Sequence, residues 1–213
     1  MNLAKKMKSI WNNVSERQAH LGESGEREEM YMRYKEHITD AINVDNKIII
    51  DFGFGGGLLG EYLFKNHSIK KYIGYDISER SYKKASSNLK DYKNKELILL
   101  EKHQWDFKAK KPNVIVCLAC MIHFPTQIYM NNFLSDCNIS GGKYLILEIR
   151  DEGKIRFFDT PYVNKNSVIR ANSVTSEYVA GKLCNYTMIN ETERSHVDCK
   201  ILTFEKKHGT ILA

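Results

Sequence analysis

Five of the chain's 13 glycines fall between Gly53 and Gly60, within KIIIDFGFGGGLLGEYLF (47–64). The isoleucine run before them ends in a carboxylate, Asp51, and a second acid, Asp76, closes the next apolar run, KKYIGYD. A glycine cluster between a strand and a helix lets the backbone turn tightly and lets a ligand approach the main chain beside a helix N-terminus. Other residues able to do chemistry recur where later apolar runs end: His103 after the third, His123 after the fourth, and Glu148, Arg150 and Asp151 at the fifth. Reactants in an open α/β sheet gather at those carboxyl ends. The spacing is that of a nucleotide-like cofactor site with acids and bases around it.

Two registers compete at the turn. Gly55, Gly57 and Gly60 fit GxGxxG, the dinucleotide fingerprint, with Asp76 then placed for a ribose. Asp51, Gly53, Gly55 and Gly57 fit a pattern with the acid first. Charge separates them. A dinucleotide would set its pyrophosphate at this turn, where a carboxylate at the strand's end repels it. S-adenosylmethionine has no phosphate there; its sulfonium and α-ammonium are both positive, so an acid beside the turn helps.

The elements that must position these residues can be read from periodicity. Met30, Tyr34, Ile38 and Ile42 recur every four residues and predict an amphipathic helix over about 26–43, after a break at HLGESG. From Lys47 onward short apolar runs alternate with helical patterns. KIIIDF, KKYIGYD, ELILLEK, NVIVCLACMI and GGKYLILEIRD are predicted strands. LLGEYLFKNH, SERSYKKASSNLKDY, TQIYMNNFLSDCNI and a short segment near SEYVAGKLCN are predicted helices, and HQWDFKAKKP a loop. Near-continuous apolar strands alternating with helices imply a parallel sheet buried on both faces. YTMINETERS and HVDCKILTFEKK alternate polar and apolar residues and predict a closing hairpin.

On these motifs the chain resembles the class I (Rossmann-like) S-adenosylmethionine-dependent methyltransferases, over roughly residues 44–207, and among them the small-molecule enzymes. IIIDFGFGGG resembles their first motif and YIGYD their second, whose acid holds both ribose hydroxyls; that role falls on Asp76. The loop after the third strand usually supplies an acid to the adenine amino group. In HQWDF that acid is Asp106, with Gln104 as a substitute and Trp105 placed to pack on adenine. PNVIVCLACMIHF resembles the fourth motif, although Asn113 stands where an Asp is common. The resemblance implies a Rossmann-like, mostly parallel seven-stranded sheet with helices on both faces and a C-terminal antiparallel hairpin. It implies an N-terminal helical extension at 1–45 and a methyltransferase domain at 46–213. The implied cofactor is S-adenosylmethionine, leaving as S-adenosylhomocysteine. It would be bound by Asp51, Gly53, Gly55, Gly57, Asp76, Ile77, Gln104, Trp105, Asp106 and Leu118.

Methyl transfer is an in-line displacement in which alignment and exclusion of water supply most of the rate. A protein base is needed only when the acceptor must lose a proton, and His123 is the candidate. Its alternative role is to cap the fourth strand locally. Trp11 and Gln18 can close over the cofactor from the N-terminal helices. Arg150, Phe158 and Tyr162 belong to a candidate substrate lid that includes 152–172, where Phe157 adds to the aromatic character. These aromatics suit an apolar or aromatic acceptor, and equally suit simple burial of the insert.

Several chemistries of the family are disfavoured. CLACMI stands where adenine amino-methylases carry Asn-Pro-Pro-Tyr or Asp-Pro-Pro-Tyr, and the Pro-Cys of cytosine C5 methylases is missing. EIRDEG lacks the Asp-Asn pair of catechol-type enzymes, so no metal is expected.

Composition bounds the rest. At 213 residues, 42% hydrophobic and 27% charged, the chain suits one domain with an extension. No apolar run approaches the ~20 residues of a membrane span. MNLAKKMKSIW has charge but no apolar stretch after it, so no signal peptide is expected. Five irregularly spaced cysteines, with Cys117 and Cys120 inside an apolar run, are expected to be reduced, which points to the cytoplasm. The net charge of +6 comes from scattered lysines and reads mainly as a solvated surface. A small-molecule acceptor is therefore the leading expectation. Methylation of RNA or protein is the runner-up, and a non-catalytic cofactor-binding subunit the reading from another class.

Overall fold

The computed structural model describes residues 7–9, 11–12, 24–101, 105–157, 172–193 and 198–208. Its strands are β1 (Ile48–Phe52), β2 (Lys71–Asp76), β3 (Lys95–Leu99), β4 (Val114–Cys117), β5 (Tyr144–Arg150), β6 (Tyr186–Glu193) and β7 (Cys199–Lys206). Helices α1 (Ser24–Tyr34), α2 (Leu58–Asn66), α3 (Glu79–Asn88), α4 (Phe107–Lys110), α5 (Gln127–Ile139) and α6 (Ser176–Lys182) connect them. The strands lie in one sheet in the order β3-β2-β1-β4-β5-β7-β6, parallel except for the antiparallel pairs made by β7. This is the Rossmann-like arrangement expected, including the terminal hairpin. The chain divides into two compact units, Met1–Trp105 and Asp106–Ala213.

In the first unit β2 lies between β1 and β3, with Asp51 opposite Gly74 and Phe52 opposite Tyr75. β-Branched and aromatic residues fill these strands, as a pleated, buried surface favours. Ile49, Ile50, Leu63, Tyr72, Ile73 and Leu89 are almost wholly buried. α1 runs into a π-helical turn at Lys35–Thr39 rather than continuing as the single α-helix expected over 26–43. Tyr34, Ile38 and Ile42 are nonetheless all buried, so the apolar spacing found its partner surface despite the wider turn. Arg27 Nη1 lies 2.6 Å from both carboxylate oxygens of Glu61, which also pairs with Lys65, and this ties α1 to α2.

In the second unit β4 and β5 are parallel, and β7 sits between β5 and β6. One departure from the alternation read in HVDCKILTFEKK stands out. Ile201, Leu202, Thr203 and Phe204 are buried in succession, so both faces of β7 are covered, whereas most of the outer strand β6 is exposed. Two boundaries also differ from expectation. The loop HQWDFKAKKP contains α4, capped by Asp106 through the Ala109 amide (2.8 Å) and held by buried Phe107. The strand read in NVIVCLACMI ends at Cys117; Ala119 turns to φ +51°, and Met121–His123 form a 3-10 turn. Thr126 then caps α5 directly after Pro125.

Candidate functional site

The first unit carries the glycine turn. Gly53, Gly55 and Gly57 all have positive φ (86°, 53° and 76°). Gly57 begins α2 and is crowded as well: a Cβ there would lie 3.0 Å from the Cβ of Ala85 on α3. A Cβ on Gly55 would meet nothing within 4 Å, so its backbone faces open space. The turn is held by hydrogen bonds from the Gly53 amide to the Tyr75 carbonyl (2.7 Å) and from the Gly57 amide to that of Phe54 (2.8 Å).

Asp76, at the end of β2, binds the turn from the other side. Its Oδ2 accepts from the Gly55 amide (2.9 Å) and its Oδ1 from the Ser78 amide (2.8 Å). Withdrawal from water pushes its carboxyl up to about 6, although the amides of Ser78, Gly55 and Ile77 pull it back. Each carboxylate oxygen has further lone-pair capacity, so the group is fixed in orientation and still able to accept from two hydroxyls.

Asp51 is 5% exposed and its Oδ2 accepts from the Tyr72 phenol at 2.6 Å. Burial raises its carboxyl to about 7; the Tyr72 hydrogen bond works against this, and the charge of Asp76 adds to it. Two carboxyl groups thus stand at one glycine turn, and among the described residues no basic side chain shifts either. That electrostatic setting attracts a cation and repels a pyrophosphate.

Around the turn, Trp105 packs edge-on against Phe52 (5.1 Å between centroids), and Phe52 stacks on Tyr75. Ile77 is half-buried directly after Asp76. Asn12, from the helical residues 11–12, accepts from the Ser78 hydroxyl (3.2 Å) and from the Glu79 amide (2.9 Å), while Lys8 pairs with Glu79 at 2.8 Å. The N-terminal segment, with half-buried Trp11, is therefore docked over the start of α3, two residues from Asp76.

The second unit carries the other candidates. Asp106 is exposed and caps α4, and Leu118 is half-buried just past β4. The Ala119 amide donates to Glu148 Oε2 (2.7 Å), a wholly buried carboxyl on β5. His123, half-buried, closes the 3-10 turn. Asn172 brackets it, donating its backbone amide to the Ile122 carbonyl (2.7 Å) and its side-chain amide to that of Phe124. Arg150 pairs with Glu152 (2.9 Å), which also binds Arg156 (2.6 Å). Burial raises the Asp151 carboxyl, but the Gly153 amide and Lys200 outweigh it and hold the group below its ordinary range, a poor setting for a base. Phe157 packs against Tyr178 of α6 at 6.4 Å. Gln18, His103, Gln104, Phe158 and Tyr162 lie outside the described residues.

Asn12, Tyr72 and Asn172 were not singled out from the sequence. Each acts across a long separation, and only the YIGYD strand, which contains Tyr72, carried any local signal.

Residues 49–138 match a family model described as a methyltransferase domain. No curated protein matches the chain. Among solved structures, magnesium protoporphyrin IX methyltransferase (ChlM) from Synechocystis PCC 6803 with bound S-adenosylmethionine is 16% identical; the match covers 97% of this chain and 98% of that one, with a TM-score of 0.70. The N-methyltransferase NodS from Bradyrhizobium japonicum WM9, in complex with S-adenosylhomocysteine, is 13% identical over 92% of this chain and 97% of its own, with a TM-score of 0.65. The small RNA methyltransferase HEN1 is 18% identical, covering 86% of this chain but 26% of its own, with a TM-score of 0.60.

Proposed function

We propose that this chain, a class I S-adenosylmethionine-dependent methyltransferase by its family match and fold, methylates a small organic acceptor by in-line displacement. The observation that carries the cofactor assignment to particular residues is the turn itself: Gly55 faces open space, Asp76 is bound to the Gly55 amide, and Asp51 stands at the end of the strand that leads into the turn. When bound, S-adenosylmethionine supplies an electrophilic methyl group on a positively charged sulfur.

The chain's own residues orient and enclose. Asp76 accepts from the ribose hydroxyls, while Asp51 favours the positive amino-acid end through its field. The backbone of Gly53, Gly55 and Gly57 admits the cofactor closely, with Ile77 and Trp105 beside it. Asp106, Leu118 and Gln104 complete the adenine side. His123 takes the proton when the acceptor is a hydroxyl or phenol, and the alignment alone suffices when the acceptor is already a free nucleophile. Trp11 and Gln18 of the 1–45 extension cover the cofactor in the 46–213 domain. Arg150, Phe158 and Tyr162 form the acceptor side with the 152–172 insert.

A small acceptor is supported by the likeness to ChlM and NodS and by the aromatic insert. RNA is the second reading, supported by the net charge of +6 and the likeness to HEN1. Among the described residues no helix is long and apolar enough to cross a membrane. The free cysteines suit a reducing compartment such as the cytoplasm.

The test is calorimetric titration with S-adenosylmethionine, S-adenosylhomocysteine and NADH, followed by methyl-transfer assays on aromatic, hydroxyl and amine small molecules beside total RNA. Binding of the first two ligands alone, with turnover on a small molecule, is the expected result. Turnover only on RNA, with a steep salt dependence, transfers the assignment to the second reading.

A further inference from the structure

We infer that Tyr72 is a positioning residue for cofactor binding: its phenol holds Asp51 as an oriented carboxylate, and Gly60 is glycine so that the phenol can reach it. This deepens the cofactor assignment above and rests on its reading of Asp51.

The geometry is specific. Tyr72 is wholly buried, and its ring lies on the face of the sheet that it shares with Gly74 and Asp76, since side chains alternate along a strand. From β2 it reaches across to β1, where Ile49 is its register partner, and donates to Asp51 Oδ2 at 2.6 Å. Room for the ring comes from α2: a Cβ on Gly60 would lie 2.9 Å from Tyr72 Cζ and 3.0 Å from Cε1. Real Cβ atoms do not approach so closely, and the ring cannot retreat within a packed interior. Gly60 is the residue that makes the GxGxxG register look like a dinucleotide fingerprint. Here its lack of a side chain serves the acid at the turn instead.

The consequence is electrostatic. A short bond from a neutral phenol to a buried carboxylate favours the charged form that burial opposes. The groups that bear on the pair are Asp76 from β2, which raises both, and Tyr34 from α1, which faces Tyr72. Tyr72 is itself held far on the protonated side by burial and by Asp51, so it acts only as a donor.

The experiment is a pH series of S-adenosylmethionine binding on the full chain, comparing wild type with Tyr72→Phe, Asp51→Asn and the double variant. Tyr72→Phe keeps the ring and its packing and removes only the donor. Asp51 lies in the field of Asp76, so the wild-type profile should carry two steps, the upper one chiefly that of Asp51. Loss of a hydrogen bond to a charged group should move the upper step upward by about one to two pH units relative to wild type, giving weaker binding at pH 7. Asp51→Asn should remove that step, and Tyr72→Phe should then shift nothing further. An upper step unmoved in Tyr72→Phe overturns the role of Tyr72, even if overall affinity changes. An Asp51→Asn profile identical to wild type overturns instead the reading of Asp51 on which this rests. Gly60→Ala, which keeps the phenol but pushes it away from Asp51, should move the same step in the same direction.

Discussion

Asn172 donates its side-chain amide to the carbonyl of Phe124 while its backbone amide binds the carbonyl of Ile122, so the two bonds straddle His123. The residue stands at the end of the 152–172 insert and is 3% exposed. The insert is closed at the same place by the Arg156–Ser173 bridge and by the Ser173 hydroxyl, which donates to the Lys154 carbonyl (2.8 Å) and accepts from the Glu152 amide (3.0 Å). The base of the proposed lid and the proposed base are thus mechanically joined.

Asn172→Ala should therefore destabilise the fold by about 1–3 kcal/mol, because it leaves the buried Phe124 carbonyl without this donor. If His123 acts as a base, kcat should fall more than cofactor affinity. Denaturant unfolding and steady-state kinetics on an identified acceptor separate the two effects. A loss in kcat absent from His123→Gln would remove His123 from the chemistry.

At Asp76 the expected loss is in binding. Asp76→Ala removes the acceptor for the ribose hydroxyls and orphans the Gly55 amide. Affinity for both S-adenosylmethionine and S-adenosylhomocysteine should fall by about ten- to a hundredfold or more, at about 1.5–3 kcal/mol for a hydrogen bond to a charged group. Calorimetry decides this, and unchanged affinity would displace the site.

Stability should depend on pH in an unusual direction for carboxyls. Asp51 and Asp76 are raised to about 7 and about 6, above their unfolded value of about 3.9. The folded state then binds more protons than the unfolded state between these values, so these groups' contribution is fully present below pH 4 and lost as pH rises through about 7. Adding a cationic cofactor opposes that loss. Thermal melts should show stabilisation by S-adenosylmethionine growing between pH 5.5 and 7.5, and a flat difference would show that the acids do not face its charge.

Two alanine substitutions in the glycine turn should behave differently. Gly57→Ala meets both a left-handed backbone and the Ala85 Cβ at 3.0 Å, so its cost combines about 1–2 kcal/mol of conformational strain with overpacking. Gly55→Ala meets the strain alone and should be the milder in chemical denaturation. Its methyl group enters the space assigned to the cofactor, so its affinity should fall further than its stability. Equal losses of stability in the two variants would contradict the packing at Gly57.

The glycine turn, its two acids and the run of strands were legible because each rests on local signals: short apolar runs alternating with helical patterns, and glycines clustered between a strand and a helix, where they take positive φ. The residues that orient the acids and the turn after β4 were not. Tyr72 meets Asp51 across 21 positions, Asn172 meets Phe124 across 48 and Asn12 meets Glu79 across 67, and no periodicity encodes such pairs. The end of β4 was hidden for a related reason. CLACMI is apolar throughout, yet Ala119 leaves the strand where its amide finds the buried Glu148. The π turn at Lys35–Thr39 was hidden as well, since helix propensity and apolar spacing read the same through it.

The place of β7 between β5 and β6 has a consequence for synthesis. A ribosome delivers β6 before the strand that must separate it from β5. Until 199–206 is available, the edge of β5 that β7 covers is open to wrong partners. The sheet of the second unit can close only by late insertion. Released chains truncated before Cys199 should accordingly be protease-sensitive beyond α5, where the full chain is resistant.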